Sequence, residues 1–254
     1  MHRLAVLALL VGACSFHAVG TTHDAPLTGD AAAHDASPDA PADAAPPPFC
    51  PADPHLRLCF DFDAPTLPAS YPDQGVATAS AQLTNVTRIA SPLGGAAQLG
   101  TQSEIYFPMD TAVSNILASE IYFRIDTDAA ADGSRESLFD SNLIPPNISM
   151  FVYRNDPDHD IHCGIGSQNE SWTTSAITLA TWHHALCICA NGNLSLYLDG
   201  TNLGDRAGNC GTGGSITSEG FTIGSNNNGG PTGVNELLLG AIDGIRLWDQ
   251  PPPP

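Results

Sequence analysis

Asn193-Leu-Ser-Leu-Tyr-Leu-Asp-Gly200 places Leu194, Leu196 and Leu198 on one side of an extended chain and Ser195 and Tyr197 on the other, then closes on an Asp-Gly pair. Strict alternation is the side-chain period of a strand with one buried face, and Asp-Gly tolerates the positive backbone angles of a tight hairpin turn. Moving outward in both directions, the chain keeps this rhythm. Short runs rich in apolar and β-branched residues recur at Leu56 to Phe62, Ala97 to Leu99, Glu104 to Phe107, Ala118 to Ile125, Arg135 to Asp140, Ile148 to Arg154, Ile161 to Ser167, His183 to Ala190, Gly220 to Ser225 and Glu236 to Trp248, separated by Gly, Pro, Asn and Asp. No segment carries a convincing 3.6-residue period, so the expected class is all-β, an antiparallel sandwich or barrel.

Before Phe49 the character of the chain changes. Met1-His2-Arg3 and the apolar run Leu4 to Val11 have the make-up of a signal peptide, and the run is too short to span a bilayer. Val11-Gly-Ala-Cys14 resembles the lipobox of bacterial lipoproteins, which implies cleavage before Cys14 and acylation of its thiol; residues 1–13 are therefore read as a signal peptide. A diacylglycerol thioether plus an amide-linked chain supplies the two anchors that stable membrane attachment requires. Ser15 after the cysteine implies outer-membrane or cell-surface placement rather than inner-membrane retention. Residues 14–48, dominated by Ala, Asp and Pro, cannot bury enough surface to offset ordering entropy and are read as an extended disordered tether. The folded part is placed at 49–250, with a proline tail at 251–254.

The formal charge is −19, with eight Arg, no Lys and 27 acidic residues. Such a surface has no basic footprint for phosphates and excludes nucleic acid as a partner. Seven cysteines become six once Cys14 is lipidated, an even number suited to an oxidising compartment. Cys50 and Cys59 are expected to pair across a small loop. Cys163, Cys187, Cys189 and Cys210 leave three pairings open. Cys187 and Cys189 share a strand face, where a bond between them would strain the pleat, so each should reach a neighbouring element.

Four patches in order carry a family resemblance: Leu58-Cys-Phe-Asp-Phe-Asp63; Gly94-Gly-Ala-Ala-Gln-Leu99 before Ile105-Tyr-Phe; Trp182-His-His-Ala-Leu-Cys187 with Leu196-Tyr-Leu-Asp-Gly200; and Gly240-Ala-Ile-Asp-Gly-Ile-Arg-Leu-Trp248. Together they resemble the concanavalin A-like, laminin-G-type domain. The resemblance implies a two-sheet antiparallel jelly roll. Read from the residues alone, Trp182 fills the core with His183 and His184 alternating beside it. Asp243 falls on the face of Ile245 and Leu247 and should point inward, where a carboxylate needs partners. Either hydrogen bonds satisfy it, or it joins Asp63 and Asp61 around a structural Ca²⁺, an ion the resembled family often carries. Asp156-Pro-Asp-His-Asp160 is read as a polar hairpin turn rather than a calcium loop.

Function is expected to be binding. The six Glu, at 104, 120, 136, 170, 219 and 236, are scattered, with no paired-carboxylate motif of a glycoside hydrolase and no nucleophile motif. No catalytic residue is assigned. The expectation is a non-catalytic module recognising glycan or protein, with Asn226, Asn227 and Asn228 of the Asn-rich loop as ligand-binding candidates. The alternatives are an envelope structural or assembly protein and, behind it, a glycoside-active enzyme.

Overall fold

The computed structural model describes residues 48–127, 135–141, 145–153, 160–217, 220–226 and 236–252. Within them alternation builds sixteen strands and no helix: β1 (Leu56–Phe60), β2 (Ser70–Pro72), β3 (Ser80–Thr84), β4 (Thr87–Ala90), β5 (Gly95–Gln98), β6 (Glu104–Phe107), β7 (Ala118–Ile125), β8 (Glu136–Asp140), β9 (Asn147–Tyr153), β10 (Asp160–Gly166), β11 (Gln168–Thr173), β12 (Trp182–Ala190), β13 (Asn193–Leu198), β14 (Thr201–Ala207), β15 (Phe221–Ile223) and β16 (Gly240–Trp248). They form two antiparallel sheets. The first runs β14-β13-β12-β7-β16-β5-β4, with β1 also paired to β16; the second runs β11-β10-β9-β8-β15-β6-β3-β2.

One set of alternating side chains from each sheet makes the common core. Ile121, Phe123 and Ile125 of β7 and Leu194, Leu196 and Leu198 of β13 meet Ile148, Met150 and Val152 of β9 and Ile161 and Ile165 of β10. A one-residue slip would turn any of these sets to the other face, so burial fixes register as well as pairing. Cys187 and Cys189 both lie on this face, as their spacing predicts. Each reaches outward: Cys163–Cys187 ties β10 to β12 across the two sheets, Cys189 bonds Cys210, and Cys50 bonds Cys59.

The strands that sequence did not mark explain themselves by position. Four of the five, β2, β4, β11 and β14, are the outer edges of the two sheets, and the fifth, β3, lies next to β2. Most of the side chains of β14 and β4 are exposed. An edge strand buries little, so it carries no hydrophobic alternation to be seen. The hairpin expected around Asp156 is formed by the pairing of β9 with β10, Tyr153 opposite Asp160; its turn lies outside the described residues. Asp160 itself begins β10.

Two expectations fail for local reasons. Where the sequence predicts strand from Glu236, the ladder begins at Gly240, and Glu236 holds a positive φ of 50°. Within β16, Ile242 pairs with Phe123 while Gly244 pairs with Tyr122, leaving Asp243 as the extra residue of a β-bulge. The bulge resets alternation: Ile242 joins Ile245 and Leu247 in the core, and Asp243 is turned away from it, against the β4–β5 connection.

The opposite face of the first sheet carries a second apolar cluster, in which Leu186, Ile188, Trp248 and Ala118 are covered by Phe49 and by Cys50 through its bond to Cys59. The chain entering the fold is thus part of the packing.

A candidate binding cleft on the outer face of the first sheet

Beside that second cluster the sheet opens into a two-lobed cleft. The larger lobe, about 510 Å³, is lined by Pro48, Phe49, Asp63, Pro92, Leu93, Tyr122 and Arg246. The smaller, about 260 Å³, is lined by Pro92, Leu93, Tyr122, Trp182, His183, His184, Asp199 and Asp243. Pro92, Leu93 and Tyr122 belong to both, so the β4–β5 connection forms a shared wall opposite the strands.

Strand register sets the floor. Gly244, Tyr122 and His184 lie abreast on β16, β7 and β12, and so do Arg246, Glu120 and Leu186 one pleat along. Because Ile121 and Phe123 point to the core, Tyr122 must point outward. It stacks on His184 with ring centroids 4.2 Å apart and planes at 16°, and Phe49 meets its edge at 5.7 Å and 80°. The absence of a side chain at Gly244 makes room for Phe49, since a Cβ there would lie 2.3 Å from the ring. Arg246 then spans Phe49, its guanidinium 4.2 Å from the ring centroid and its Nη1 donating to the Phe49 carbonyl.

Trp182 is not the core residue that sequence implies. It is half-buried in the cleft wall, opposite Arg124 of β7, whose guanidinium sits 5.3 Å from its ring. The strand begins there, and the inward position next along is taken by His183 instead. His183 is locked: the backbone N–H of Thr178 donates to its Nε2 at 3.0 Å, which puts the proton on Nδ1, 2.8 Å from Asp199 Oδ2. The other oxygen of Asp199 accepts the His184 N–H at 2.8 Å. Asp199 can do this because it sits with φ 50° in the turn before Gly200, the pair that the alternation of β13 pointed to.

The polar groups divide by charge balance. Glu120 is buried, and burial alone would raise its carboxyl; hydrogen bonds and charge from His184 and Arg246 outweigh that and hold it below the usual range. Among the described residues, no such cation meets Asp243. Burial pushes its carboxyl up to about 6, Asp63 and Asp61 push the same way, and hydrogen bonds from Ser91 and the Leu93 N–H offset only part of it. Asp243 thus accepts hydrogen bonds where it lies, from the Leu93 N–H and from Ser91.

Asp63 and Asp61, the other two carboxylates of the calcium reading, are hydrogen-bonded within the fold. Asp63 Oδ1 accepts the Gly95 N–H at 2.6 Å and Asp61 Oδ1 accepts the Tyr71 hydroxyl at 2.8 Å. Among the described residues, no group of three or more His, Cys, Asp or Glu side chains converges as an ion site. Asn226 lies elsewhere, in a buried bracket beside the second sheet. Its Nδ2 donates to Glu236 Oε2, which also takes Arg135 Nε, each at 2.6 Å, and Arg135 lies 3.8 Å over the Phe151 ring. Asn227 and Asn228 fall outside the described residues, as does Cys14. Tyr122 and the loop wall at Pro92 and Leu93 were missed by sequence reasoning. The outward position of Tyr122 between two core residues was the available signal.

A family model described as "Concanavalin A-like lectin/glucanases superfamily" matches residues 99–253, well over half of the chain. No curated protein matches. Among solved structures, the chain is similar to domain 4 of AbnA, a GH43 extracellular arabinanase from Geobacillus stearothermophilus seen in complex with arabinotriose, at 17% identity and a TM-score of 0.56, covering 78% of this chain and 93% of that one. It is also similar to a mutant Trypanosoma rangeli sialidase displaying trans-sialidase activity, at 14% identity and a TM-score of 0.54, covering 78% of this chain but only 31% of the sialidase. At these identities the likeness is one of fold.

Proposed function

Since the chain belongs to the concanavalin A-like lectin/glucanases superfamily, we propose that it is a non-catalytic glycan-binding module, anchored by a lipid on Cys14 and displayed outside the cytoplasm beyond an Ala-, Asp- and Pro-rich segment. The observation that carries the reading is the smaller lobe, where Tyr122 and Trp182 offer aromatic surface beside Asp199 and Asp243. Sugars present apolar C–H faces and a rim of hydroxyls, and a site for them combines aromatic walls with a few placed hydrogen-bonding groups. The arabinotriose bound to the arabinanase domain, a domain of the same fold, supports this choice of ligand class by analogy of fold.

Binding without turnover fits the same geometry. His183 Nε2 accepts a backbone N–H and so is not free as a base, Glu120 is held by two partners, and among the described residues no Ser or Cys lines either lobe. The three disulfides suit an oxidising compartment.

The test is a glycan array probed with the secreted Cys14→Ser chain, with Tyr122→Ala and Trp182→Ala beside it. Saturable binding that a free oligosaccharide displaces, and that either substitution weakens at least tenfold, supports the reading. Silence on the array with recovery of envelope proteins by cross-linking would replace it with an envelope-assembly role.

A further inference from the structure

The cleft is unequal in charge. The larger lobe holds Arg246, but that cation is spent on Glu120 and on the Phe49 carbonyl. The smaller lobe has two carboxylates, Asp199 and Asp243, and no Arg or Lys in its lining. Neither carboxylate meets a cation among the described residues. Asp199 is held by the His184 N–H and by His183, whose proton position is fixed by Thr178; Asp243 is held by the Leu93 N–H and by Ser91. Arg124, whose guanidinium lies over Trp182, is committed to Asp126 through both Nε and Nη2. Asp63 and Asp61 stand behind Asp243 and add to the negative field. Asp243 is almost wholly buried without a cation, which is costly unless a guest brings the missing charge, and the exposed Asp199 adds a second carboxylate to the lining of the same lobe.

We infer that the smaller lobe receives a protonated amine borne on a sugar ring, so that the preferred glycan is an amino sugar with a free ammonium rather than a neutral, N-acetylated or acidic one. An ammonium has three donors and no acceptor, which suits a lobe lined by two carboxylates and by no Arg or Lys. The apolar face of the ring that carries it has Tyr122 and Trp182 to lie against, and those π faces also attract the cation. The larger lobe continues from the smaller one past Pro92, Leu93 and Tyr122 and has room for the remainder of an oligosaccharide. A uronic or sialic acid would meet repulsion from a chain of net charge −19 and from these two groups. The inference rests on the glycan-binding reading and deepens it.

Isothermal titration of the secreted Cys14→Ser chain compares a glucosamine tetrasaccharide, its fully N-acetylated counterpart and tri-lysine near pH 6.5 at moderate salt. The expected result is a preference of tenfold or more for the free amine over the acetylated sugar, reduced to near parity in Asp243→Asn and in Asp199→Asn. Each variant keeps almost all of the protein's negative charge, so a preference arising from bulk electrostatics would survive in both. Asp199→Asn also disturbs a turn, and Asp243→Asn serves as the variant that leaves that turn intact. Equal affinity for the two sugars, a preference that persists in both variants, or tri-lysine binding as tightly as the amino sugar would overturn the inference and leave a glycan site standing on its affinity for the sugars. Absence of binding by any glycan would instead remove the glycan reading itself.

Discussion

Replacing Asp243 by Asn should stabilise the protein at neutral pH, by an amount that depends on pH in a defined direction. The Asp243 carboxyl is raised from the usual 3.8 to about 6, first by burial and then by Asp63 and Asp61. Below both values the folded and unfolded chains alike hold the proton, and the group costs nothing. As pH rises, the unfolded chain ionises first and the folded chain is left to ionise a buried carboxyl. Stability is therefore lost progressively up to and just beyond pH 6. At about 1.4 kcal/mol per unit, a gap of roughly two units corresponds to about 3 kcal/mol by pH 7. Asn remains neutral and retains an oxygen for the Leu93 N–H, so the variant should be about 2–3 kcal/mol more stable near pH 7 and close to wild type near pH 4. Asp73, also raised to about 6 by burial, tilts both proteins equally and drops out of the difference. Urea unfolding followed by tryptophan fluorescence across this range, with disulfides intact, measures it. A difference that is constant with pH, or that widens on acidification, would refute the account of Asp243.

Other consequences are simpler to state. The double replacement Cys163→Ala with Cys187→Ala removes the bond between the two sheets; a closed loop of separation 24 corresponds to about 3 kcal/mol, read as a lower urea midpoint. Gly244→Ala puts a Cβ into the Phe49 ring, so chymotrypsin should cut after Phe49 faster than in wild type while the near-ultraviolet spectrum of the core is retained. Cys14→Ser should move the protein from the membrane fraction to the soluble one, and mass spectrometry of wild type should find residue 14 acylated; sedimentation with membranes in the variant would end the anchoring proposal. Because Asp63, Asp61 and Asp243 are each hydrogen-bonded within the fold, millimolar calcium should leave the melting temperature unchanged, and a rise that vanishes in Asp243→Asn would instead support a calcium site there.

The core was legible because burial imprints itself on every second residue. Leu194, Leu196 and Leu198, or Ile148, Met150 and Val152, announce a face without reference to any other part of the chain. Edge strands such as Thr201–Ala207 leave no such imprint, since their stability comes from main-chain pairing to a neighbour whose identity is non-local. The bulge at Asp243 was invisible for a related reason: an inserted residue shifts alternation without changing composition, so the residue that seemed to share a face with Ile245 does not. The cleft was the least legible part. Its floor comes from three strands, its wall from the β4–β5 connection and its end from Phe49, and only the fold brings these together. Asp199-Gly200 shows the mixed case: the turn was plain, but its use of the side chain to orient His183 and His184 was not.

If the domain is held by its N-terminal segment, as proposed, the bond between Cys50 and Cys59 has a mechanical meaning. Tension along that segment reaches Cys50 and passes through the sulfurs to Cys59, bypassing residues 51–58. Cys59 lies inside β1, opposite Arg246 of β16, and is flanked by Leu58 and Phe60, whose side chains are fully buried. A pull therefore arrives in the interior of a paired strand rather than at its fraying end, and β1 cannot be peeled away one hydrogen bond at a time from Leu56. Cutting that bond should lower the force at which the domain yields by more than it lowers the stability measured without load.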